Sequence, residues 1–105
     1  MRDLHRQTKA TRIPEAVKKA VWERDGGRCV LCGEPGSPWC HYISLAQGGL
    51  GIPENIVTLC GTCHTRYDQS VDRAAFKEAI AGYLRSKYPE WDEKKLIYRK
   101  GMENA

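Results

Sequence analysis

Cys29-Val-Leu-Cys32 and Cys60-Gly-Thr-Cys63-His64 are the two stretches that decide the fold of this 105-residue chain. Each contains a CxxC pair, and two such pairs supply four thiolates to one tetrahedral zinc ion. The segment between the pairs has 59 − 32 = 27 residues, more than the roughly 15–20 of a simple zinc ribbon. We therefore predict a structural zinc site that encloses a further element of structure.

A redox-active CxxC is the competing interpretation of these motifs. Redox motifs normally have one pair beside a βαβ pattern, whereas this chain has two pairs and no such pattern. No apolar stretch follows the charged N-terminus, and no run approaches the roughly 18 apolar residues of a membrane span. We expect the chain to stay in a reducing cytoplasm, away from membranes, where paired CxxC motifs favour metal over disulfides.

Composition and charge bound the possible functions. The chain is 41% hydrophobic and 29% charged, as in ordinary soluble domains, and a chain this short often needs a metal to stay folded. Its net charge of +4 permits a polyanionic partner. Solvated surface charge explains the same excess equally well.

Two helices are predicted from turn residues and periodicity. The first begins at Pro14 and ends at Gly26-Gly27. The second begins near Asp72 and ends before Pro89, with an apolar stripe at Phe76, Ile80, Tyr83 and Leu84. A further helical turn or two is expected from Cys63.

Two short runs of strand-forming residues lie between the cysteine pairs, at 39–45 and 56–59. The turn-like stretch 46–55 joins them, so a hairpin with a wide loop is predicted. We divide the chain into a flexible basic arm (1–12), a central domain (13–88) and a C-terminal extension packed on or near it (89–105). Residues 91–99 show no assignable pattern.

The residues around and between the cysteine pairs resemble the His-Asn-His (HNH) endonuclease family. The matching stretches are Arg24-Asp-Gly-Gly-Arg-Cys29, Cys40-His41-Tyr-Ile-Ser-Leu-Ala-Gln-Gly-Gly49 and Asn55-Ile-Val-Thr-Leu-Cys-Gly-Thr-Cys-His64. The resemblance implies an α+β fold with a small ββα-metal, treble-clef-like core. Structural zinc would be held there by two CxxC knuckles, Cys29 and Cys32 with Cys60 and Cys63, and helices would flank the core. The termini are similar to those of small phage-encoded members.

The resemblance also implies roles for individual residues. His41 matches the general base, which takes a proton from the water that attacks phosphorus. Asn55 matches the residue that pins the hairpin loop and helps to orient this base. His64 matches a ligand of a catalytic divalent metal, and Asp68, four residues on, shares its helical face. The implied activity is metal-dependent DNA hydrolysis that leaves 5′-phosphate and 3′-hydroxyl ends.

Each of these residues also has a purely structural interpretation. A lone histidine in a strand is usually a hydrogen-bonded structural residue, and asparagine before a strand is commonly a turn residue. A His–Asp pair four residues apart is often a surface ion pair worth a few tenths of a kcal/mol. Their joint occurrence, in order and inside a zinc clamp, favours catalysis.

Cys40 and Ser44 depart from the family pattern. Residue 40 is commonly Asp or His and contributes to the catalytic metal, while proline is frequent at position 44. A lone thiol in a strand is more often a buried core residue, and thiolate suits Mg²⁺ poorly. Either His64, Asp68 and water hold Mg²⁺ or Mn²⁺, or Cys40 biases the site toward Mn²⁺, Zn²⁺ or Ni²⁺.

DNA is the expected partner, contacted mainly through its backbone. Such contacts imply weak sequence specificity and steep salt dependence. The candidate contacts are Arg66, Arg24, Arg28, Lys18 and Lys19.

Because the chain is short, we expect it to nick alone and to cut both strands only as a homodimer or with a partner, such as phage packaging proteins. If it is phage-encoded, its compartment is the bacterial host cytoplasm. The alternative function is a non-catalytic zinc module that binds nucleic acid or scaffolds a complex.

Overall fold

The structure is a computed structural model that describes residues 2–99, with side chains described for 7–99. Within this range a two-stranded antiparallel sheet lies among four helices. The helices are α1 (Arg2–Thr11), α2 (Glu15–Asp25), α3 (Gly61–Gln69) and α4 (Arg73–Lys87), and the strands are β1 (Ser37–His41) and β2 (Ile56–Leu59). No helix in the described part of the chain has the length and apolar character to cross a membrane.

The predicted first helix is confirmed as α2, and both of its ends have local causes. Pro14 precedes it in extended conformation (φ −64°, ψ 154°), which suits a residue with fixed φ and no N–H. Gly26 ends it at φ 67°, where its N–H bonds the Glu23 carbonyl. Left-handed glycine is a common way to stop a helix because it has no Cβ.

The hairpin forms as predicted, but its first strand lies earlier than expected. Cys40 pairs with Val57 and His41 with Ile56, and the register shifts between Ser37 and Cys40. The predicted strand 39–45 is therefore wrong in its bounds. Beyond His41 the chain bonds to Asn55 instead, and Leu45–Gln47 forms a 3₁₀ turn.

The C-terminal residues close over the loop between the strands. Leu50 donates its N–H to the Leu96 carbonyl at 2.8 Å, and Tyr98 donates to the Gly48 carbonyl at 2.7 Å. Residues Glu93–Leu96 form a 3₁₀ turn, and the Trp91 indole N–H bonds the Glu54 carbonyl at 2.8 Å. The segment that the sequence left unassigned thus packs on the loop, and residues 100–105 lie outside the described range.

The core lies between the sheet, α3 and α4. Ile80 and Leu84, from the predicted stripe on α4, are fully buried together with Val57 of β2 and Tyr67 of α3. The Tyr67 hydroxyl donates to the Tyr42 carbonyl at 2.8 Å. The helix carrying His64 is therefore fixed against the strand carrying His41.

Within the predicted flexible basic arm (1–12), residues Arg2–Thr11 form α1. The polar sequence gave little sign of this helix, and tertiary contacts hold its last turn. Gly51 donates its N–H to the Ala10 carbonyl at 3.0 Å. A Cβ on Gly51 would lie 2.0 Å from the Arg12 carbonyl oxygen, so glycine is required for this close approach.

Candidate functional site

The four predicted cysteines come together at the end of β2. All four sulfurs of Cys29, Cys32, Cys60 and Cys63 lie within 4.8 Å of one another. The Cys32 and Cys60 sulfurs are 3.6 Å apart, close to the S–S edge of about 3.8 Å in a tetrahedron with Zn–S bonds of about 2.3 Å. The site thus fits a tetrahedral zinc ion.

Backbone N–H groups point at the sulfurs of this cluster. Leu31 N–H donates to the Cys29 sulfur and Cys63 N–H to the Cys60 sulfur, each at 3.4 Å. Burial opposes ionisation of Cys29, but backbone N–H donors outweigh it and lower its pKa to about 7. Donors of this kind stabilise the thiolates that a metal requires.

His41 lies half-buried at the end of β1, beside the end of α1. Its Nε2 is 2.8 Å from the Thr11 carbonyl oxygen. Since a carbonyl only accepts, Nε2 must donate, and in the neutral ring Nδ1 then carries the lone pair. Burial lowers the pKa of His41 below 6.5, the bond to Thr11 opposes this, and charge on His64 adds to it. The ring is therefore neutral near pH 7, with one nitrogen free to take a proton.

Asn55 is fully buried and holds the loop that follows His41. Its Oδ1 accepts from Ile43 N–H at 2.8 Å, and its Nδ2 donates to the carbonyls of Ile43 at 3.2 Å and Leu50 at 2.9 Å. Its own carbonyl accepts from Tyr42 N–H at 2.7 Å. Asn55 thus fixes the chain leaving His41 from inside the protein.

His64 and Asp68 share one face of α3, as the spacing predicts. His64 Nε2 lies 3.5 Å from Asp68 Oδ2, and both side chains are open to solvent. They line a hollow of about 320 Å³ that Trp39 also borders. Trp39 borders a second hollow, of about 260 Å³, that contains His41. The two histidines therefore face adjoining hollows on either side of one aromatic ring.

The pair on α3 offers an incomplete ligand set by itself. Among the described residues, the four cysteines are the one group of three or more His, Cys, Asp or Glu residues whose ligand atoms lie within 4.8 Å of one another. His64 and Asp68 have no third such ligand close by in this part of the chain. His64 and Asp68 provide a nitrogen and an oxygen, which suit a divalent cation that keeps several waters. These residues fit such an ion, with water completing its coordination.

Cys40 lies in the core, with 1% of its surface exposed. Burial, and then the charge of Asp68, raise the pKa of its thiol to about 12. It belongs to the same buried cluster as Val57 and Tyr67. Its surroundings are those of a packed side chain, on the face of β1 opposite Trp39 and His41.

Arg24 was expected to contact phosphate, and this prediction is wrong. Its five N–H donors all have internal partners: both Asp25 carboxylate oxygens, the Pro53 and Ile56 carbonyls and the Tyr88 hydroxyl. Its side chain is only 13% exposed. Arg24 therefore ties α2 to β2 and to the end of α4, and no donor remains for a ligand.

The other candidate DNA contacts lie nearer to solvent. Arg66 is exposed, pairs with Asp72 at 2.8 Å and stacks over Phe76. Arg28 bonds the Gly33 carbonyl at 3.1 Å, and Lys19 is exposed. Lys18 borders the His41 hollow, pairs with Glu15 at 3.3 Å and lies over the Trp39 ring. These four remain predicted contacts.

The fold and the four-cysteine site define a small ββα domain with four cysteines positioned to bind a metal, in which β1 and α3 carry the two histidines. The HNH endonuclease family model matches residues 29–70, which contain both CxxC pairs, His41, Asn55 and His64. The chain belongs to the HNH endonuclease family.

Two further comparisons found proteins similar to this chain. Anaredoxin of Nostoc sp. (strain PCC 7120 / SAG 25.82 / UTEX 2576) is 34% identical over 53 residues, covering 49% of this chain and 70% of that protein. The solved structure of the Type IV phosphorothioation-dependent restriction endonuclease ScoMcrA matches 74% of this chain, with a TM-score of 0.62 and 24% identity. This chain spans 17% of ScoMcrA, so that likeness concerns the fold.

Two parts of this site were missed from the sequence. The Thr11 carbonyl is a backbone atom of a polar helix, and no side-chain pattern signals it. Trp39 was treated as an ordinary strand residue. Its position two residues before His41, on the same face of β1, is the signal that could have identified it.

Proposed function

We propose that this protein is a metal-dependent DNA endonuclease that hydrolyses phosphodiesters to 5′-phosphate and 3′-hydroxyl ends. The observation that carries the proposal is the bond between His41 Nε2 and the Thr11 carbonyl. This bond selects the tautomer whose Nδ1 can accept a proton. A strand histidine with a purely structural role would make the same hydrogen bond, but it needs no hollow beside its ring.

In the proposed reaction His41 is the general base. Its Nδ1 takes a proton from a water molecule in the adjoining hollow while the water oxygen attacks phosphorus. The bond from phosphorus to the 3′ oxygen breaks, the 3′ oxygen gains a proton, and the phosphate stays on the 5′ side. Positioned proton transfer of this kind contributes about 10²- to 10⁴-fold to a rate.

Asn55 acts as a positioning residue in this proposal. Its three side-chain hydrogen bonds hold residues 43–50, the segment that follows the base. Loss of these bonds would leave buried amide and carbonyl groups without partners, at about 1–3 kcal/mol each. The base would then lose its fixed direction.

His64 and Asp68 would hold the catalytic divalent ion. That ion, Mg²⁺ or Mn²⁺ by the oxygen and nitrogen chemistry of the pair, would stabilise charge on the phosphate and on the leaving oxygen. Ni²⁺ and Zn²⁺ are the other candidates. We propose that Cys40 contributes packing, because its burial leaves the sulfur no open path to the hollow.

We propose that zinc in the four-cysteine site is structural. The site closes the chain at both ends of the hairpin, and none of its sulfurs lines the hollows beside His41 and His64 among the described residues. Structural zinc contributes folding free energy directly.

Exposed cations would place the DNA backbone on the proposed site. Lys18 borders the hollow of the base, while Arg66, Arg28 and Lys19 offer further charge. We further propose that one protomer nicks DNA. Double-strand cleavage would then require a homodimer or phage packaging proteins. Cytoplasmic location and phage origin stay predictions.

A non-catalytic zinc module that binds nucleic acid or scaffolds a complex is the second candidate. The observation in its favour is that His64 and Asp68 gather no third histidine, cysteine or carboxylate ligand in the described part of the chain. Such a module requires the cysteines but has no use for the His41 tautomer.

Cleavage of supercoiled plasmid separates the two candidates. The parent protein should convert it to the nicked form with Mg²⁺ or Mn²⁺ and not with EDTA. His41→Ala should lower the rate by about 10²-fold or more while zinc content and melting stay those of the parent. Equal cutting by a folded, zinc-loaded His41→Ala protein would refute the assigned base. No cutting with any metal would favour the binding module.

A further inference from the structure

Two large hydrophobic side chains lie exposed beside His41. Trp39 has 58% and Leu45 has 55% of its surface in water, and both line the hollow of about 260 Å³ that contains His41. Single exposed apolar residues are common, but two that line one hollow together with cationic side chains indicate a contact surface. The question is which ligand this surface recognises.

The geometry of β1 puts Trp39 within a short reach of the base. Trp39 and His41 line the same hollow, while Cys40 between them enters the core. A phosphate bound at His41 would therefore carry its nucleotide into the hollow that Trp39 lines.

The Trp39 ring also lies between the two halves of the candidate site. It borders the His41 hollow and the hollow lined by His64 and Asp68. A phosphodiester that is in reach of both histidines must pass beside this ring. Trp39 is thus exposed at the position where the nucleotide nearest the cleaved bond would lie.

The charge around the ring favours a nucleic acid as the occupant. Arg12 and Lys18 line the His41 hollow, and no carboxylate among the described residues lines it. The Lys18 Nζ lies 5.9 Å from the centre of the Trp39 ring. Cations that track phosphates beside an aromatic face that stacks on bases are the usual design for binding single strands.

We propose that Trp39 stacks on an unpaired base beside the phosphate at His41, with Leu45 wedged against the next base, and that the protein therefore prefers single-stranded or locally opened DNA. This inference rests on the proposed function. In a continuous duplex every base is already stacked, so the same contact requires unstacking. In a single strand or at a mismatch, less stacking free energy is lost when a base moves onto the Trp39 ring.

The test uses one labelled oligonucleotide offered as a single strand, as a full duplex and as a duplex with one mismatch. We expect the parent to cut the single strand about tenfold faster than the duplex. Trp39→Ala should remove most of this preference by slowing cleavage of the single strand, and Trp39→Phe should restore part of it. Leu45→Ala should slow cleavage at the mismatch.

Matched controls separate a local role from a general loss. Trp22→Ala removes a tryptophan that is 50% exposed but packs on Gly27, and Val71→Ala removes an exposed side chain outside the hollow. Both should keep the parent's ratio of single-strand to duplex cleavage. The inference is overturned if Trp39→Ala keeps this ratio, or if Trp22→Ala changes it equally.

Binding without cleavage makes this test independent of the proposed function. Without added Mg²⁺ or Mn²⁺, which leaves the structural zinc in place, the single strand should quench the tryptophan fluorescence of the parent, and Trp39→Phe should lose that quenching. Retained quenching in Trp39→Phe would overturn the stacking, whether or not the protein cuts. A parent that shows the quenching but cuts nothing would refute the nuclease and leave the Trp39 contact supported.

Discussion

The four-cysteine site and the His41 site lie at the two ends of β2. Ile56, at its start, pairs with His41, and Cys60 follows its last residue. The cysteine site consists of two short turns, in which a sulfur accepts from an N–H two or three residues further along the chain. The His41 site instead combines the end of α1, the end of β1 and one face of α3.

The difference concerns how far along the chain each site reaches. The acceptor that sets the His41 tautomer is 30 residues away in sequence, and the Asn55 bond to Ile43 spans 12. The cysteine site requires only that two locally formed turns come together around one metal ion. The His41 site requires several long-range contacts at once, so it should be damaged by changes that leave the zinc turns intact.

Cys32→Ser should have the largest effect on stability. Cys32 is exposed, so packing alone predicts almost no cost, whereas loss of a zinc ligand should cost more than about 5 kcal/mol. We expect the variant to lose its zinc and its cooperative melting, measured by metal analysis and circular dichroism. Cys40→Ala is the control: a buried thiol outside the site, with an expected cost of about 1–2 kcal/mol. A larger loss of folding stability in Cys40→Ala than in Cys32→Ser would exclude a structural zinc site at the four cysteines.

The elements next to the cysteines were largely predictable, because their signals are local. Pro14 and Gly26 bound α2, the run Ile56–Leu59 is β2, and the stripe with Ile80 and Leu84 is buried. Turn residues, apolar periods and CxxC spacing act over a few residues. The family pattern added His41, Asn55 and His64, whose catalytic roles stay proposals.

The features that were missed depend on distant partners. The end of α1 is held by Gly51 and gives His41 its acceptor, and neither contact leaves a pattern in a polar helix. Arg24 looked like any basic residue beside a binding motif. Its partners lie up to 64 residues away, so charge alone could not separate an internal arginine from a phosphate contact.

Gly51→Ala should damage the His41 site while sparing the cysteine site. The new Cβ would lie 2.0 Å from the Arg12 carbonyl oxygen, so the end of α1, with Thr11, must move away from His41. We expect cleavage to fall about tenfold or more, as misplaced catalytic groups typically cause, with zinc content unchanged. In Gly82→Ala, where a Cβ meets nothing within 4 Å, cleavage should stay normal. Unchanged cleavage in Gly51→Ala would argue against a role for α1.

The pH dependence of cleavage should follow His41. The base works only when neutral, and burial lowers its pKa below 6.5, with His64 adding to this and Thr11 opposing it. Activity should therefore be full at pH 7 and fall about tenfold per unit only below pH 6.5. Arg12 and Lys18 are the other charged side chains that line this hollow.

Acid could also release zinc, so the pH experiment needs a check on the cysteine site. Zinc content and circular dichroism should be followed over the same range, and the rate should fall while both stay constant. A fall in the cleavage rate that starts above pH 7, or one that follows the loss of zinc, would show that the pH dependence is not due to His41.

Lys18→Ala should have the smallest effect, one on affinity. Lys18 lines the His41 hollow, and its ion pair with Glu15 is exposed, so folding stability should change by less than about 1 kcal/mol. If Lys18 meets a phosphate, its loss should weaken DNA binding several-fold and reduce the slope of log affinity against log salt by about one. Lys87→Ala removes the same charge from the last turn of α4, where the ammonium lies over Tyr83, and should leave that slope nearly unchanged. Equal slopes for the two variants would mean that binding senses net charge only, and that the His41 hollow has no special contact with the DNA backbone.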